Sequence, residues 1–590
     1  MLKQATDKEL LEQWAATWPK ALAIWSRYTR LSNPILCLSE KKATQEGLTD
    51  SFAMIRFSDQ GIVVNLDKVK KLELTDYALE ILAHEIGHHV LAPANITDHF
   101  LLLARIRKAL PTLEIHAAMV SNLFTDLLIN DRLQRRHGLR ISEVYQKMIK
   151  PESQTHKPSV WSLYMRIYEY LWQLDKGLLC GNIPDEKFHV DAWLGARIIR
   201  VYANEWMDGG SRFATLLLPY LVNETDHSEL IKGLHDTKDS ATGCEPSGLT
   251  EIDEGELEEC IHPINDPRIT GEETNEDDKN MPIENIKRTS ARGWQRREVF
   301  EYGEILKSAG IKLSDHEIAV RYYREAALPY LISFPTKISV EGSEPLIEGL
   351  APWELGNSFD EIDWMETIFR SPVIFPGLTT VQREFGLIQG ENPIVEPIDL
   401  DIYVDSSGSM PDPQTQISYL ALAGAIISLS ALRAGSKVQA TLWSGKGEFM
   451  STKGFIQNQD EILRVLTGYF GSSTAFPIHI LRKTFSERKP TDRACHILMI
   501  SDDGITTMFD KDEKGNSGWD ISQMALEKGR AGGTMALNMP TDWENINNSE
   551  FTKLKEARST QNWNIHAIEE MEDLIHFASE FSKKYFSQKK

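Results

Sequence analysis

The sequence has little with which to cross-link itself. Its five cysteines, Cys37, Cys180, Cys244, Cys260 and Cys495, are odd in number and scattered, and none forms a C-x-x-C pair. Neither a disulfide framework nor a thiolate zinc site is indicated, and the expected compartment is the reducing cytosol. Positive charge is in deficit as well. Against 64 Lys and Arg stand 86 Asp and Glu, a formal charge of −22. A dedicated nucleic-acid binder carries the opposite surface. Long apolar runs are missing: the most apolar stretch, YLALAGAIISLSAL at 419–432, has 14 residues. That is short of the roughly 20 needed to span a bilayer and reads as a buried helix. The start, MLKQATDKELLEQW, has no apolar signal core. No G-x-x-x-x-G-K-[ST] loop, G-x-S-x-G elbow or cysteine-nucleophile signature is present, so a P-loop nucleotide site and those covalent mechanisms have no support.

What is present divides the chain. Its 590 residues are roughly four times a common domain length of about 150, so two to four domains are expected. The composition breaks at 236–292, where 16 Asp and Glu face 6 Lys and Arg. So acidic and apolar-poor a stretch is expected to be a flexible linker. Residues 1–235 read as mainly helical, with a small hairpin: FAMIRF and IVVNL flank a Ser58-Asp59-Gln60-Gly61 turn. Two helices follow, over 75–91 and 112–136, stopped by Ala92-Pro93 and Gly138. Residues 293–397 read as a connecting region that packs on the last domain, with one helix over 316–328. From 398 to 590 strand-like and helical runs alternate, the pattern of a doubly wound, Rossmann-like α/β sheet.

Two constellations carry chemistry. The first is His84-Glu85-Ile86-Gly87-His88. On a helix, His84 and His88 share a face and can hold one zinc ion, with Glu85 beside it as general base. A third ligand is required. The next helix carries Asn122, Asp126 and Asn130 at four-residue spacing, one polar stripe among apolar residues. A buried Asp there is costly without a cation or a donor. Asp126 is the expected third ligand, with Asn122 and Asn130 supporting it. Glu114 and His116, at the helix start, are weaker candidates, and His89 and His99 are expected to face outward or cap locally. Hydrogen bonding between the His and Asp without metal is the plain alternative.

The second constellation is the strand DLDIYV followed by Asp405-Ser406-Ser407-Gly408-Ser409. A carboxylate and two hydroxyls at a strand's carboxyl end suit Mg²⁺. Thr474, in FGSSTAFP, and Asp502, in HILMISDDG, supply the later pieces of such a site, with Asp503 adjacent. A calcium-like run at 510–516 reads as a solvated loop, and Arg132, Arg135, Arg136 and Arg140 read as stabilising a helix C-terminus.

HEIGHHVLAP followed by NLFTDLLINDRL resembles the zincin-like metallopeptidase domain that bacteria fuse to a von Willebrand factor A domain. The resemblance implies that His84, His88 and Asp126 bind zinc and that Glu85 is the base. An Asp third ligand departs from the Glu of the commonest zincins of this ligand type. The stretch 398–590 resembles the von Willebrand factor A domain itself. This implies Mg²⁺ at Asp405, Ser407, Ser409, Thr474 and Asp502, its shell completed by an acidic side chain of a partner. Chains of this build resemble cytosolic partners of MoxR-type AAA+ ATPases. The expected function is a zinc metallopeptidase recruited to such an ATPase, or to a client, through its Mg²⁺ domain. The alternative is a non-enzymatic adaptor with a structural metal site. A chelatase-like subunit is a third reading, disfavoured by H-E-x-x-H.

Overall fold

The computed structural model describes residues 6–26, 28–49, 51–149, 157–223, 237–238, 246–271, 295–334, 336–339, 343–389, 394–569, 573, 577 and 581. Helices and several small sheets form two compact units, Met1–Ile318 and Ala319–Lys590.

The first unit is mainly helical. Helix α1, Asp7–Trp25, begins with a reciprocal capping box between Thr6 and Glu9 and buries Trp14 and Trp18. Strand β1 is Ile35–Cys37, and β2, Ala53–Arg56, pairs antiparallel with β3, Gly61–Asn65, as the hairpin pattern predicts. Helices α2, Ala78–Val90, α3, Ile96–Ala109, and α4, Ala117–His137, follow. Gly138 ends α4 at φ 66°, a left-handed cap that glycine adopts without Cβ strain. Then come α5, Ile141–Met148, α6, Val160–Trp172, α7, Glu186–Val201, and α8, Trp206–Asn223. A short strand, β4, Thr237–Lys238, pairs with β2, so the sheet order is β1-β3-β2-β4.

The expected linker at 236–292 differs in its described middle. Residues 246–271 fold onto the first unit: Leu249, Pro263 and Ile269 are buried. The charges are used as well. Arg105 pairs with Asp253 at 2.8 Å, Arg212 donates to Asp266 at 2.5 Å, and the buried Arg297 holds Glu256 at 2.7 Å. Net charge describes a stretch poorly when its carboxylates have partners elsewhere in the chain. Residues 272–292 lie outside the described residues. The expected connecting region 293–397 is divided too. Helix α9, Val299–Ser308, belongs to the first unit, where Arg107 donates to the Ser308 hydroxyl at 2.6 Å.

The division of the chain falls in α10, Asp315–Ala327, close to the helix expected there. The rest of the expected connecting region forms two antiparallel pairs. Strand β5, Thr336–Ser339, pairs with β8, Ile394–Pro397. Strand β6, Ser343–Pro352, pairs with β7, Val381–Gln389, and helix α11, Trp364–Arg370, lies between the latter two in sequence. The α/β part begins at β9, Asp399–Asp405, buried along its whole length. It continues through α12, Tyr419–Arg433, β10, Val438–Trp443, β11, Phe449–Ser451, α13, Gln459–Leu466, and α14, Ile478–Ser486. Strand β12, Cys495–Ser501, α15, Gly518–Gly529, β13, Arg530–Leu537, α16, Ser549–Gln561, and β14, Asn564–Ala567, complete it.

The sheet order is β11-β10-β9-β12-β13-β14, parallel except at the β11 edge. The chain leaves β9 for one neighbour and later returns to the other. This reversal opens a crevice beyond the carboxyl ends of β9 and β12, where open α/β sheets bind ligands. The apolar run at 419–432 is the buried α12, and among the described residues no helix is long and apolar enough to cross a membrane.

Candidate metal centres

Helix α2 carries the first constellation, and packing decides where it sits. Gly87 faces α4 and α1 with no room for a side chain: a Cβ there would lie 2.5 Å from Ile129 Cγ2 and 2.8 Å from Trp25 Cζ2. Trp25 also donates its indole N–H to the Ala83 carbonyl at 2.7 Å. Pressed against α4, α2 presents His84 and His88 to Asp126. His88 Nε2 lies 3.4 Å and His84 Nε2 3.8 Å from Asp126 Oδ1. The three ligand atoms lie within 4.8 Å of one another. The two rings stand edge to face, centroids 5.0 Å apart.

The far side of each ring fixes its tautomer. His88 Nδ1 is 3.1 Å from the Ala92 carbonyl. A carbonyl only accepts, so the proton sits on Nδ1 and the Nε2 lone pair faces Asp126. His84 Nδ1 is 2.8 Å from Asn130 Oδ1. The Asn130 amide nitrogen donates to Tyr145 at 3.1 Å and Tyr168 at 2.8 Å, which turns its oxygen toward His84. Tyr164 closes a ring of three hydroxyls, 2.8 Å from Tyr168 and 3.3 Å from Tyr145. Burial holds the Tyr164 and Tyr168 phenols well above their usual range, with neighbouring Tyr145 and the Asp126 charge adding to it. Asn122 donates to Asp126 Oδ2 at 3.3 Å.

The residues fit a zinc ion. Tetrahedral ligands at about 2.0–2.1 Å from zinc are separated by about 3.4 Å, close to the two Nε2–Oδ1 distances. Each histidine also has the acceptor behind it that metal-bound imidazoles have. Glu85 is buried and lines the same cleft as His84 and Asp126. The cleft has about 50 Å³ of accessible space, with Phe52, Ile81, Ile141, Val144 and Met148 as apolar wall. Glu114 and His116 form a separate short turn before α4. His99, expected to face outward or cap locally, is buried between Phe57 and Phe100. Burial, then the proximity of His88, pushes its pKa down to about 4. Arg140, expected to serve a helix end, donates to the buried Glu80 at 3.0 Å and ties the turn before α5 to α2.

The second constellation lies in the crevice of the other unit. Asp405 ends β9; its Oδ1 accepts the Ser407 N–H at 2.8 Å and its Oδ2 the Ser501 hydroxyl at 2.5 Å. Ser407 and Ser409 hydroxyls are 3.1 Å apart, and Ser409 donates to Asp502 Oδ2 at 2.6 Å. Thr474 stands beside Gly504, where a Cβ would meet Thr474 Cγ2 at 2.7 Å and Asp502 Oδ1 at 2.8 Å. Between the two acids after β12, Asp502 turns to Ser409. Asp503 is held above the usual carboxylate range by burial, then by Asp502 and Glu550. Gly408 N–H donates to the Ser472 carbonyl and Gly471 N–H to the Ser406 carbonyl, which clamps the two loops. Burial raises the Asp405 carboxyl to about 6, against the hydrogen bonds from Ser501 and Ser407 that lower it. An octahedral cation at about 2.0–2.1 Å sets neighbouring oxygens about 2.9 Å apart. The hydroxyl and carboxylate spacings here fit that edge.

The sequence reading did not find Tyr145, Tyr164, Tyr168, the Ala92 carbonyl or Ser501. Tyr164, Tyr168 and Trp172, each four residues apart on α6, carried a readable signal: two hydroxyls on one face of an apolar helix.

No known family's sequence profile matches this chain, and no curated protein matches it. Among solved structures, two of the pilus adhesin SpaC from Lactobacillus rhamnosus GG, one of them in an open conformation, are similar over 32% of this chain and 30% of theirs. Identity is 13% and the TM-score 0.24, a likeness too slight to carry any argument.

Proposed function

We propose that the first unit is a zinc-dependent peptide hydrolase of the zincin kind, and that the second binds Mg²⁺ through a von Willebrand factor A-type site to recruit a partner or client. One observation carries the first half: both His84 and His88 have Nδ1 tied to an acceptor and Nε2 turned to the buried Asp126. That arrangement suits a cation better than a plain hydrogen-bonded core. Zinc held there would polarise a bound water and lower its pKa toward about 7. The chain's own residues do the rest. Asp126 and the two imidazoles would hold the ion, while Asn130 and the Ala92 carbonyl keep both rings in the binding tautomer. Glu85 would accept on its carboxylate the proton that the attacking water gives up and return it to the leaving amine. The apolar walls Phe52, Ile141 and Met148 exclude water and receive an apolar side chain.

In the second unit Asp405, Ser407, Ser409, Thr474 and Asp502 would hold the cation and leave a position for a partner's carboxylate. The chain has no P-loop, which accords with an ATPase of the MoxR type acting in trans.

The test is zinc analysis of wild type beside His84→Ala/His88→Ala, with Glu85→Gln assayed on a peptide library. About one zinc per chain, lost in the double variant, and peptide cleavage lost in Glu85→Gln with zinc retained, are expected. Cleavage unchanged by Glu85→Gln overturns the assignment. A non-enzymatic adaptor is the second reading, favoured by the narrowness of the cleft, about 50 Å³. Under that reading zinc is bound, no peptide is cut, and Asp405→Ala alone abolishes Mg²⁺-dependent partner capture.

A further inference from the structure

Ten large apolar side chains stand exposed between Leu355 and Leu378 in the second unit, Leu355, Phe369 and Leu378 at 77–80%. Surfaces of monomers rarely concentrate apolar groups in this way unless something covers them. The stretch is not a failed core, because its backbone is pinned by hydrogen bonds. Trp353 N–H donates to the Thr380 carbonyl and Asp363 N–H to the Val381 carbonyl, both at 2.9 Å. Val381 N–H donates to the Thr367 hydroxyl at 3.1 Å, and the Trp353 indole to the Ser358 carbonyl at 3.0 Å. Trp353 stacks on Phe359 with centroids 5.4 Å apart. On this scaffold α11 buries only Thr367 and turns Trp364, Met365, Ile368 and Phe369 to solvent.

Charge decides what fits. Glu354, Asp360, Glu361 and Glu366 are exposed and interspersed in sequence among the apolar residues, and no ion pair joins them to another side chain among the described residues. Asp363 is engaged by Arg383 at 2.5 Å, and Arg370 is the only cation between 354 and 378. Exposed large apolar side chains accompanied by unpaired surface charge of one sign are what a protein interface supplies to a partner of the opposite charge.

We propose that the surface from Leu355 to Leu378 docks a partner protein whose contact face is apolar at its centre and edged with Lys and Arg. A second copy of this chain would set the same carboxylates against each other. An anionic bilayer would repel them. Basic rim groups on the partner would steer its approach and fix its orientation.

A fluorescent amphipathic helix of Leu and Lys is such a face in miniature, and its Leu/Glu counterpart is the control. The full chain is titrated with each. The Leu/Lys peptide is expected to bind at least tenfold tighter than the Leu/Glu peptide. Its affinity should fall at least tenfold in Phe369→Ser/Leu378→Ser, with thermal unfolding unchanged because both side chains are exposed. Glu361→Lys/Glu366→Lys should also weaken it. An affinity unaffected by Phe369→Ser/Leu378→Ser overturns the proposal, since only the chain's general acidity would then be sensed. Sedimentation of a dimer that the serine variant dissolves overturns it in favour of a second copy. Flotation with phosphatidylcholine vesicles that the variant abolishes overturns it in favour of a bilayer.

Discussion

His84 and Asn130 meet across α2 and α4, Nδ1 to Oδ1, at 2.8 Å. The amide oxygen is held in that orientation by two tyrosine hydroxyls on the nitrogen side. A leucine at 130 keeps the branched shape with somewhat greater bulk and removes the acceptor, so His84 loses its preference for the Nδ1–H tautomer. Asn130→Leu is expected to weaken zinc binding about 10- to 100-fold. Competition against a chromophoric chelator measures it.

Gly87 is expected to tolerate no substituent. The contact distances to Ile129 and Trp25 leave a methyl group no space unless α2 moves off α4. Gly87→Ala should cost about 1–3 kcal/mol, the usual range for overpacking. The urea midpoint should fall with the slope unchanged, and zinc content should fall with it.

Arg297 anchors the folded part of the acidic stretch. Its guanidinium donates to both oxygens of Glu256 at 2.7 and 2.8 Å and to the Leu249 carbonyl at 3.0 Å, all of it buried. Arg297→Ala leaves Glu256 as an uncompensated buried charge, a loss of about 3–5 kcal/mol. Adding Glu256→Gln should restore part of it. Limited proteolysis should then cut within 246–271 in the single variant first.

Stability of the second unit should fall as pH rises from about 4 to about 7. Burial raises the Asp401 carboxyl to about 7 in the folded chain, against about 3.9 when unfolded. The folded state therefore holds this proton more tightly, and stability is lost as pH climbs between the two values. The nearby Tyr403 and Gln439 dipoles and the Arg488 charge reduce the effect without cancelling it. Asp401→Asn removes the titration, so its stability relative to wild type should grow from pH 4 to pH 7. Parallel unfolding curves for the two proteins across that range contradict the assignment.

Much of this was legible in the residues. The α2 and α4 helices, the hairpin before them and the five parallel strands followed from periodicity and turn chemistry. His84, His88 and Asp126 came together because helical spacing and one polar stripe fix which faces meet. The lobe around α11 was not legible. Its apolar side chains are exposed, so pattern no longer reports burial, and β6 and β7 pair across 28 intervening residues. Residues 246–271 misled for the converse reason. Carboxylates such as Glu256 and Asp266 read as solvated charge, and their partners lie 41 and 54 residues away in sequence. The tyrosine ring behind Asn130 is a tertiary product of α5 and α6, which no local rule joins to α4.

The contact of Gly87 with Ile129 also says which parts of the candidate zinc cleft are free to change. With no side chain between α2 and α4, the floor of the cleft has a fixed width, and a homologue that separated these helices would pull the ligands apart. The opposite wall, Ile141, Val144 and Met148 on α5, meets α2 through the Arg140–Glu80 hydrogen bond instead of through a glycine contact. Substitutions at Ile141, Val144 or Met148 would therefore reshape what the cleft admits, while one at Gly87 would move the ligands themselves.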